Sequence, residues 1–417
     1  METLIHEGRQ RRPKMDVLAY AAQRLQLVDE IDQTLRTGTF DSADLGSGLA
    51  GPLIFYAELF NATQRAEYLE QARRKLDAIF DSLEQMTTFD LYGGLAGVAW
   101  ALNHVRSLEH GKALGLADDC CEEVDSLLLE LTAAQTWTHH FELISGLVGV
   151  GAYALEHPDR SVRTALFSRV VTQLEAVSER EGDGVTWRSQ NHFLPNPSER
   201  IRFPNGLHNL GIAHGVPGVI ALYGKALRRG ITDSRLEPML RQALTWLLSV
   251  SNSQPELSYG FVAGDLIHSR IAWCYGNLSV AIALIQAAQG LADEVLMSKA
   301  LALATTTIER PMWETGVEDA SLCHGSFGNA HIYHRIYQLS GKRRFLAASR
   351  RWQEVATHSA PEMRKESGLL FPFRMRDEWK QDLGYLMGLS GIGLVAAQDI
   401  FPLSGSWDAP LFTDFSS

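Results

Sequence analysis

Two kinds of apolar pattern alternate along the chain. In stretches such as residues 64–83 and 236–250, apolar residues recur at every third or fourth position, which predicts amphipathic helices with one buried face. Between such stretches lie short runs that are almost entirely apolar, such as residues 98–102 and 280–285. Runs of that kind are typical of helices that are buried on most sides. The alternation therefore predicts an outer and an inner layer of helices.

A short glycine motif opens each apolar run. It consists of two glycines three residues apart followed by small and apolar residues, which allow neighbouring backbones to approach closely. The motif recurs seven times at intervals of 46 to 69 residues, with Ser279 in place of the second glycine in the fifth copy. The first glycines of the seven copies are Gly48, Gly94, Gly146, Gly215, Gly276, Gly325 and Gly388.

An interval of this length accommodates two helices and their connections. Seven repeats then give about seven inner and seven outer helices, and closing them into a ring protects both ends. We therefore predict an all-α fold, an α/α toroid that forms a single domain over residues 1–417, with the glycine motifs gathered at one mouth. The substitution at Ser279 is interpreted as a local packing variation.

Residues 178–210 interrupt the repeat pattern. The segment combines glycines, prolines and asparagines with the aromatic residues Trp187, Phe193 and Phe203, and it is too long for a plain connection between helices. We interpret it as a small insertion with some extended structure near the active-site mouth. A peptide-docking surface and an ordinary long loop are equally consistent with its composition.

Residues just before the motif glycines are expected to converge on one cavity at the mouth. Among them are His214, Cys274, Cys323 and His324. Two thiols and one imidazole suit a zinc ion, and three protein ligands leave the fourth position of a catalytic site open. The alternative for either cysteine taken alone is a small core residue. Cys274, Cys323 and His324 are therefore candidate metal ligands.

The other two cysteines do not fit this pattern. Four cysteines are too few for a disulfide framework in a chain of this length. Cys120 and Cys121 lie within residues 118–131, which are patterned like a helix. Because adjacent side chains on a helix diverge by about 100°, these thiols are predicted to be separate packing residues.

Composition and charge limit the function classes. The chain of 417 residues, with 45% hydrophobic and 21% charged residues, is typical of a globular protein with a large core. Its net charge of −11 argues against a nucleic-acid partner, and its one basic run, residues 9–14, is interpreted as a solvated terminus. No apolar stretch approaches the roughly 20 residues needed to cross a bilayer, and no signal peptide is recognised. We therefore expect a cytoplasmic protein without direct membrane insertion.

The motifs together resemble those of the lanthionine synthetase C (LanC-like) family, over essentially the whole chain. The matching segments are Ala213-His214-Gly215, Arg270 followed by Trp273-Cys274-Tyr275-Gly276, and Cys323-His324-Gly325. The resemblance implies a stand-alone bacterial class I lanthipeptide cyclase with one Zn²⁺ held by Cys274, Cys323 and His324. It also places His214, Arg270 and Tyr275 at further active-site positions. Glu142 stands where bacterial cyclases usually carry an Asp.

The resemblance also implies the reaction. A zinc-bound peptide Cys thiolate adds to a dehydroalanine or dehydrobutyrine of the same peptide and forms a (methyl)lanthionine thioether ring. His214 is then the candidate acid or base, Arg270 would hold the enolate or orient Glu142, and Tyr275 offers a hydroxyl. The substrate would be a dehydrated precursor of leader and core peptide. A dehydratase and a peptide exporter are expected partners, through which the protein would associate peripherally with the membrane.

Three other functions share some of these features. LanC-like relatives in eukaryotes add glutathione to dehydroamino acids, but they tend to carry His where this chain has Tyr275. Protein prenyltransferase β-subunits are zinc-containing α/α toroids too, but they need a cluster of Lys and Arg that is not evident beside these motifs. A peptide-binding scaffold with a structural zinc is disfavoured, because the motifs show no evident fourth protein ligand.

Overall fold

The structure, a computed structural model, describes residues 17–253, 258–265, 269–375 and 378–415. The basic run at residues 9–14 lies outside these ranges. Helices dominate the described residues, and they alternate along the chain between an inner and an outer layer. The fold is therefore best followed from the seven glycine motifs, each of which leads into one inner helix.

The inner layer consists of α2 (Ala50–Thr63), α4 (Leu95–Ser107), α6 (Leu147–Glu156), α9 (Val216–Arg228), α11 (Gly276–Leu291), α13 (Ser326–Ser340) and α15 (Leu389–Ala397). The outer layer consists of α1 (Val17–Thr37), α3 (Ala66–Ser82), α5 (Glu122–Thr132), α7 (Arg160–Ala176), α10 (Leu236–Ser249), α12 (Glu294–Glu309) and α14 (Arg343–Ser367). A short additional helix, α8, spans Pro197–Arg202. The predicted all-α toroid of about seven inner and seven outer helices is confirmed in the described residues.

Burial separates the two layers. In α11 every side chain from Asn277 to Ala288 is buried, so this inner helix is enclosed on all sides. In the outer helix α3 the buried apolar residues recur every three or four positions and form one face: Tyr68, Ala72, Leu76 and Ile79. None of the helices in the described ranges is both long and apolar enough to cross a membrane.

Backbone hydrogen bonds join the loops that precede successive inner helices into a ring. At six junctions an N–H of one loop donates to a carbonyl oxygen of the next: Gly46 to Tyr92 (2.7 Å), Tyr92 to Ile144 (3.3 Å), Leu143 to Ala213 (3.2 Å), Cys274 to Cys323 (3.2 Å), Cys323 to Leu386 (3.1 Å) and Leu386 to Gly46 (2.9 Å). At the junction between the fourth and fifth loops, the N–H of Ile212 donates to Oγ of Ser279 (2.9 Å). Ser279 therefore supplies a junction acceptor, a role that the interpretation as a packing variation did not include.

The second glycine of a motif is required by close packing within its own repeat. A Cβ added at Gly97 would lie 1.8 Å from the carbonyl oxygen of Leu91, and one at Gly391 would lie 2.0 Å from that of Tyr385. Atoms cannot approach so closely without a shift of the backbone. The first turn of the inner helix therefore rests directly on the loop that carries the candidate site residues.

The centre of the toroid is filled by residues 407–415, here called the central segment. Its side chains are buried, and side chains from several repeats donate to its carbonyl oxygens. These bonds run from Tyr385 Oη to Trp407 (3.0 Å), Tyr92 Oη to Pro410 (3.0 Å), Trp273 Nε1 to Leu411 (2.9 Å) and Gln286 Nε2 to Phe412 (2.8 Å). The sequence pattern did not predict this segment, because it belongs to none of the repeats.

Buried charges tie the central segment to the inner helices. Asp408 pairs with Arg335 (2.6 Å) and His331 (2.8 Å), and Asp414 pairs with Lys225 (2.9 Å). Burial alone would raise the pKa of Asp408, but the positive charge of Arg335 and the hydrogen bond from His331 hold that pKa well below its ordinary value. Because a buried charge without a partner is costly, these pairs fix the central segment in one position.

The segment 178–210 contains extended structure. Strands β1 (Ser178–Glu181) and β2 (Gly184–Trp187) form an antiparallel hairpin, and α8 follows. A bridge between Ser189 and Leu207 lies within the segment, and a bridge between Asn209 and Val262 connects the end of the segment to a neighbouring loop. A second hairpin, β3 (Phe373–Met375) and β4 (Glu378–Lys380), lies near the C-terminal repeat and was not predicted.

The prediction that Cys120 and Cys121 diverge on a helix is wrong. Helix α5 begins only at Glu122, so Cys120 lies in the preceding turn and Cys121 is the N-cap residue. Their Sγ atoms lie 3.7 Å apart and therefore face each other. The pattern placed the start of the helix too early, and helix ends are the least certain part of such a prediction.

Replacing Asp408 with Asn tests the contribution of the central segment to stability. The variant leaves the buried Arg335 guanidinium without its carboxylate, so we expect a loss of about 3–5 kcal/mol in the free energy of unfolding, measured by urea titration. The matched control is Glu237→Gln in the exposed pair with Arg241, whose side chains are 56% and 54% exposed. This control should change the free energy by less than about 0.5 kcal/mol. Equal effects of the two variants would contradict the proposed importance of the central charges.

Candidate metal centre and active site

The structure brings Cys274, Cys323 and His324 together at the mouth of the toroid. One ligand atom from each, two sulfurs and one imidazole nitrogen, lies within 4.8 Å of the others. The two cysteines belong to successive loops, which are joined by the backbone hydrogen bond from Cys274 to Cys323 (3.2 Å). This hydrogen bond, one of those that join the loops into a ring, therefore also brings the candidate ligands together.

The two thiols are not equivalent. Hydrogen bonds from Cys323 and His324 lower the pKa of Cys274 to about 5, although burial opposes this change. The same hydrogen bond to Cys274, together with burial, raises the pKa of Cys323 well above its ordinary value. The charge of Arg270 lowers the pKa of both thiols, so this guanidinium lies near Cys274 and Cys323. A metal ion would displace the remaining protons, since it binds the deprotonated forms.

Asp319 orients the imidazole of His324. Its Oδ2 lies 3.0 Å from Nε2 of His324, and its Oδ1 accepts from the N–H (2.9 Å) and Oγ (2.8 Å) of Ser321. Burial alone would raise the pKa of Asp319, but the hydrogen bond from His324 lowers it. Because Nε2 is engaged with a carboxylate, Nδ1 is the nitrogen left for a metal, and such a partner fixes the orientation of the ring.

His214 and Glu142 form a second pair at the site. Nδ1 of His214 lies 2.9 Å from Oε2 of Glu142, and the carboxylate also accepts from the N–H groups of Ile144 (2.9 Å) and Ser145 (2.8 Å). Glu142 is 3% exposed and His214 46% exposed. Burial alone would lower the pKa of His214, but the hydrogen bond and charge of Glu142 raise it. Nδ1 therefore donates to Glu142, and Nε2 is the nitrogen available for proton transfer.

Asn209 determines which way the hydroxyl of Tyr275 points. The N–H of Gly211 donates to Oδ1 of Asn209 (2.9 Å), so the amide nitrogen must be the atom that faces Tyr275. Nδ2 of Asn209 lies 3.0 Å from Oη of Tyr275 and donates to it. The single proton of the Tyr275 hydroxyl is consequently free to be donated elsewhere. Burial raises the pKa of Tyr275, so this proton is retained at neutral pH.

His214, Glu142 and Tyr275 open onto one cavity of about 400 Å³. Residues from the segment 178–210, among them Phe193 and Phe203, also line this cavity. A cavity of this size, lined by aromatic side chains and a few polar groups, is typical of a ligand-binding site. The arrangement therefore exposes an imidazole that could transfer a proton and a hydroxyl donor in the same cavity.

One structural position recurs in these loops and accounts for the residues that sequence reasoning missed. A carboxylate or amide, four or six residues before the first motif glycine, accepts a loop N–H in six repeats: Asp44 from Ser47 (2.8 Å), Asp90 from Gly93 (2.6 Å), Glu142 from Ser145 (2.8 Å), Asn209 from Gly211 (2.9 Å), Asp319 from Ser321 (2.9 Å) and Asp382 from Gly384 (2.7 Å). Arg270 stands six residues before Gly276 in the remaining repeat. The family resemblance pointed to Glu142 and Arg270 at this position, and the same register in the neighbouring repeats holds Asn209 and Asp319, which were not predicted.

A family model described as lanthionine synthetase C-like protein matches residues 39–405. The chain belongs to the lanthionine synthetase C-like family. Nisin biosynthesis protein NisC from Lactococcus lactis subsp. lactis is 21% identical over 378 residues, which cover 86% of each protein. The solved structure of a nisin cyclase matches with a TM-score of 0.71 at 21% identity and covers 94% of this chain and 98% of that chain. The resemblance inferred from the motifs is confirmed, and the α/α toroid is shared with that structure.

Proposed function

We propose that this chain is a zinc-dependent lanthipeptide cyclase. The observation that supports this function best is the convergence of Cys274, Cys323 and His324, close enough to the His214–Glu142 pair for the charge of Cys274 to contribute to the raised pKa of His214. The similarity to NisC and to a nisin cyclase supports the same function. The substrate is then a precursor peptide of leader and core in which Ser or Thr residues have been dehydrated. Family analogy adds a separate dehydratase and a peptide exporter as partners, and peripheral association with the membrane through them.

The donor set fits zinc. Two thiolates and one imidazole are ligands that Zn²⁺ prefers, and three protein ligands leave one position for a substrate. When bound, Zn²⁺ would lower the pKa of a coordinated substrate thiol and thereby supply a thiolate at neutral pH. Cys274 and Cys323 would hold the ion from adjacent loops, and the hydrogen bond with Asp319 would keep the ring of His324 in place as the third ligand.

The remaining side chains stabilise the negative charge that forms during the addition and supply the proton that completes it. The substrate sulfur attacks the β-carbon of the dehydroamino acid, and the electron pair of the double bond moves onto the carbonyl oxygen as an enolate. Tyr275 donates its hydroxyl proton in a hydrogen bond to that oxygen, because Asn209 occupies its acceptor side. His214 delivers the proton to the α-carbon from Nε2, and Glu142 holds the ring in position and favours its protonated form. The positive charge of Arg270 stabilises the thiolate forms of Cys274 and Cys323.

The segment 178–210 contributes residues to the lining of the cavity onto which these groups open. We assign it the role of an insertion that contacts the substrate peptide. The aromatic side chains of Phe193 and Phe203 provide apolar contact area, and the edge of the cavity carries Arg202 and Asp265, which pair at 2.9 Å. The two aromatic side chains would shield the dehydroamino acid from part of the surrounding water while the thiolate adds to it.

Ring closure is the direct test of the proposed function. The zinc-loaded protein should convert a peptide that contains dehydrobutyrine and Cys into a product of unchanged mass that no longer reacts with an alkylating agent. Cys323→Ala should abolish this conversion, and His214→Asn should slow it by at least about 100-fold. Cys120→Ala is the matched cysteine control and should retain the wild-type rate. Addition of one glutathione to the peptide in place of ring closure would instead identify a LanC-like glutathione transferase.

Replacing Asp319 with Asn should weaken metal binding. Loss of the carboxylate behind His324 is expected to lower the affinity for Zn²⁺ by about 10- to 100-fold, measured by competition with a chelating dye. Asp382→Asn is the matched control, because Asp382 accepts the N–H of Gly384 (2.7 Å) at the equivalent position of the seventh repeat. Equal losses in the two variants would mean that Asp319 only stabilises its loop.

Replacing Asn209 with Asp tests the orientation of Tyr275. A carboxylate cannot donate, so the hydroxyl of Tyr275 should turn toward it and leave the enolate oxygen without a donor. We expect kcat to fall by about 100-fold, with KM and zinc content retained. Tyr275→Phe should cause a loss of similar size, and the double variant should lose no more than either single variant. Independent, multiplying losses would contradict a role of Asn209 through Tyr275.

A further inference from the structure

Cys120 and Cys121 form a thiol pair outside the proposed active site. The two sulfurs lie 3.7 Å apart in the turn that leads into the outer helix α5. Cys120 is partly exposed, whereas Cys121 is buried and its Sγ lies 3.6 Å from the carbonyl oxygen of Ala99. The pair therefore combines one thiol that solvent can reach with one that it cannot.

A positive charge lies beside the exposed thiol. The guanidinium of Arg106 donates to the carbonyl oxygens of Ala117 (3.1 Å) and Asp118, which holds it against the turn. The hydrogen bond from Cys121 and the charge of Arg106 lower the pKa of Cys120 to about 7, although burial opposes this change. The hydrogen bond to Cys120, together with burial, raises the pKa of Cys121. Cys120 is thus the nucleophile of the pair, and Cys121 is the proton donor.

We propose that Cys120 and Cys121 are a peroxide-sensitive dithiol that closes reversibly to a disulfide between adjacent residues. The Cys120 thiolate attacks one oxygen of hydrogen peroxide, the O–O bond breaks, and a sulfenic acid and hydroxide result. The sulfur of Cys121 then attacks the sulfur of Cys120, the S–O bond breaks, and water leaves with the proton of Cys121. The two thiols are oxidised together by two electrons, and one peroxide is reduced.

The order of these steps follows from the surroundings of the two sulfurs. While Cys120 is a thiolate, its negative charge keeps the neighbouring Cys121 protonated. Once Cys120 is a sulfenic acid that charge is gone, and Cys121 can attack a sulfur that already lies within contact distance. The partial exposure of Cys120 gives peroxide access, and the burial of Cys121 protects the second thiol from oxidising first.

The backbone makes the resulting disulfide easy to reduce. The Cα atoms of consecutive residues lie about 3.8 Å apart, whereas the Cα atoms of an ordinary disulfide lie about 4.4–6.8 Å apart. A disulfide forced into the shorter spacing is constrained, and constrained disulfides are reduced more readily. Small thiols such as glutathione should therefore restore the pair.

Peptide mass measurement after peroxide treatment tests this proposal. Lys112 and Arg160 bound a tryptic peptide, residues 113–160, that contains Cys120 and Cys121 and no other cysteine. The zinc-loaded protein is treated with hydrogen peroxide, the free thiols are alkylated in denaturant, and the digest is weighed. We expect this peptide to lose two hydrogens and to escape alkylation, and glutathione treatment before alkylation to restore both thiols.

Two variants assign the steps. Cys121→Ser cannot close the disulfide, so Cys120 should gain one oxygen that a sulfenic-acid reagent such as dimedone traps. Cys120→Ser should leave Cys121 alkylatable at the same peroxide dose. The proposal is overturned if the wild-type peptide keeps two alkylatable thiols at doses that oxidise Cys120 in the Cys121→Ser variant. It is equally overturned if the wild-type peptide accumulates oxygen without loss of the two hydrogens.

Discussion

The closed ring of loop-to-loop hydrogen bonds is the constraint on which the rest of the structure depends. Each inner helix starts from a loop that is bonded to the next, and the junction between Cys274 and Cys323 is one link of this ring. The loops also rest on the central segment, since Trp273, the residue before Cys274, donates to Leu411 (2.9 Å). The position of the candidate metal ligands is therefore set by closure of the whole toroid and not by local sequence alone.

The loop residues serve the fold and the proposed chemistry at once. Asp44 and Asp382 accept loop N–H groups and so satisfy backbone donors near the start of an inner helix. Glu142, Asn209 and Asp319 do the same in their own repeats, but they also contact His214, Tyr275 and His324. A repeated structural position thus supports three different candidate site residues, and this support fixes each of them on a rigid element.

Periodicity explains what could be predicted from the sequence. The alternation of helices and the converging ligands Cys274, Cys323 and His324 follow from repeats that recur along the chain. The central segment has no repeat, and its partners such as Arg335 are more than 70 residues away from Asp408, so only the folded chain reveals it. Cys120 and Cys121 were misplaced because a helical pattern does not state where the helix begins. Asn209 carries no metal or acid–base chemistry by type, and its role depends on contacts with Gly211 and Tyr275.

X-ray absorption at the zinc edge shows directly whether the metal centre keeps an open position. We expect the zinc-loaded protein to show two sulfur donors at about 2.3 Å, one imidazole nitrogen and one further light atom, with one sulfur lost in Cys274→Ser. Addition of a dehydrated peptide that contains a Cys should replace the light atom with a third sulfur. Four protein donors that do not change when the peptide is added would contradict an open catalytic position and leave the metal with a structural role.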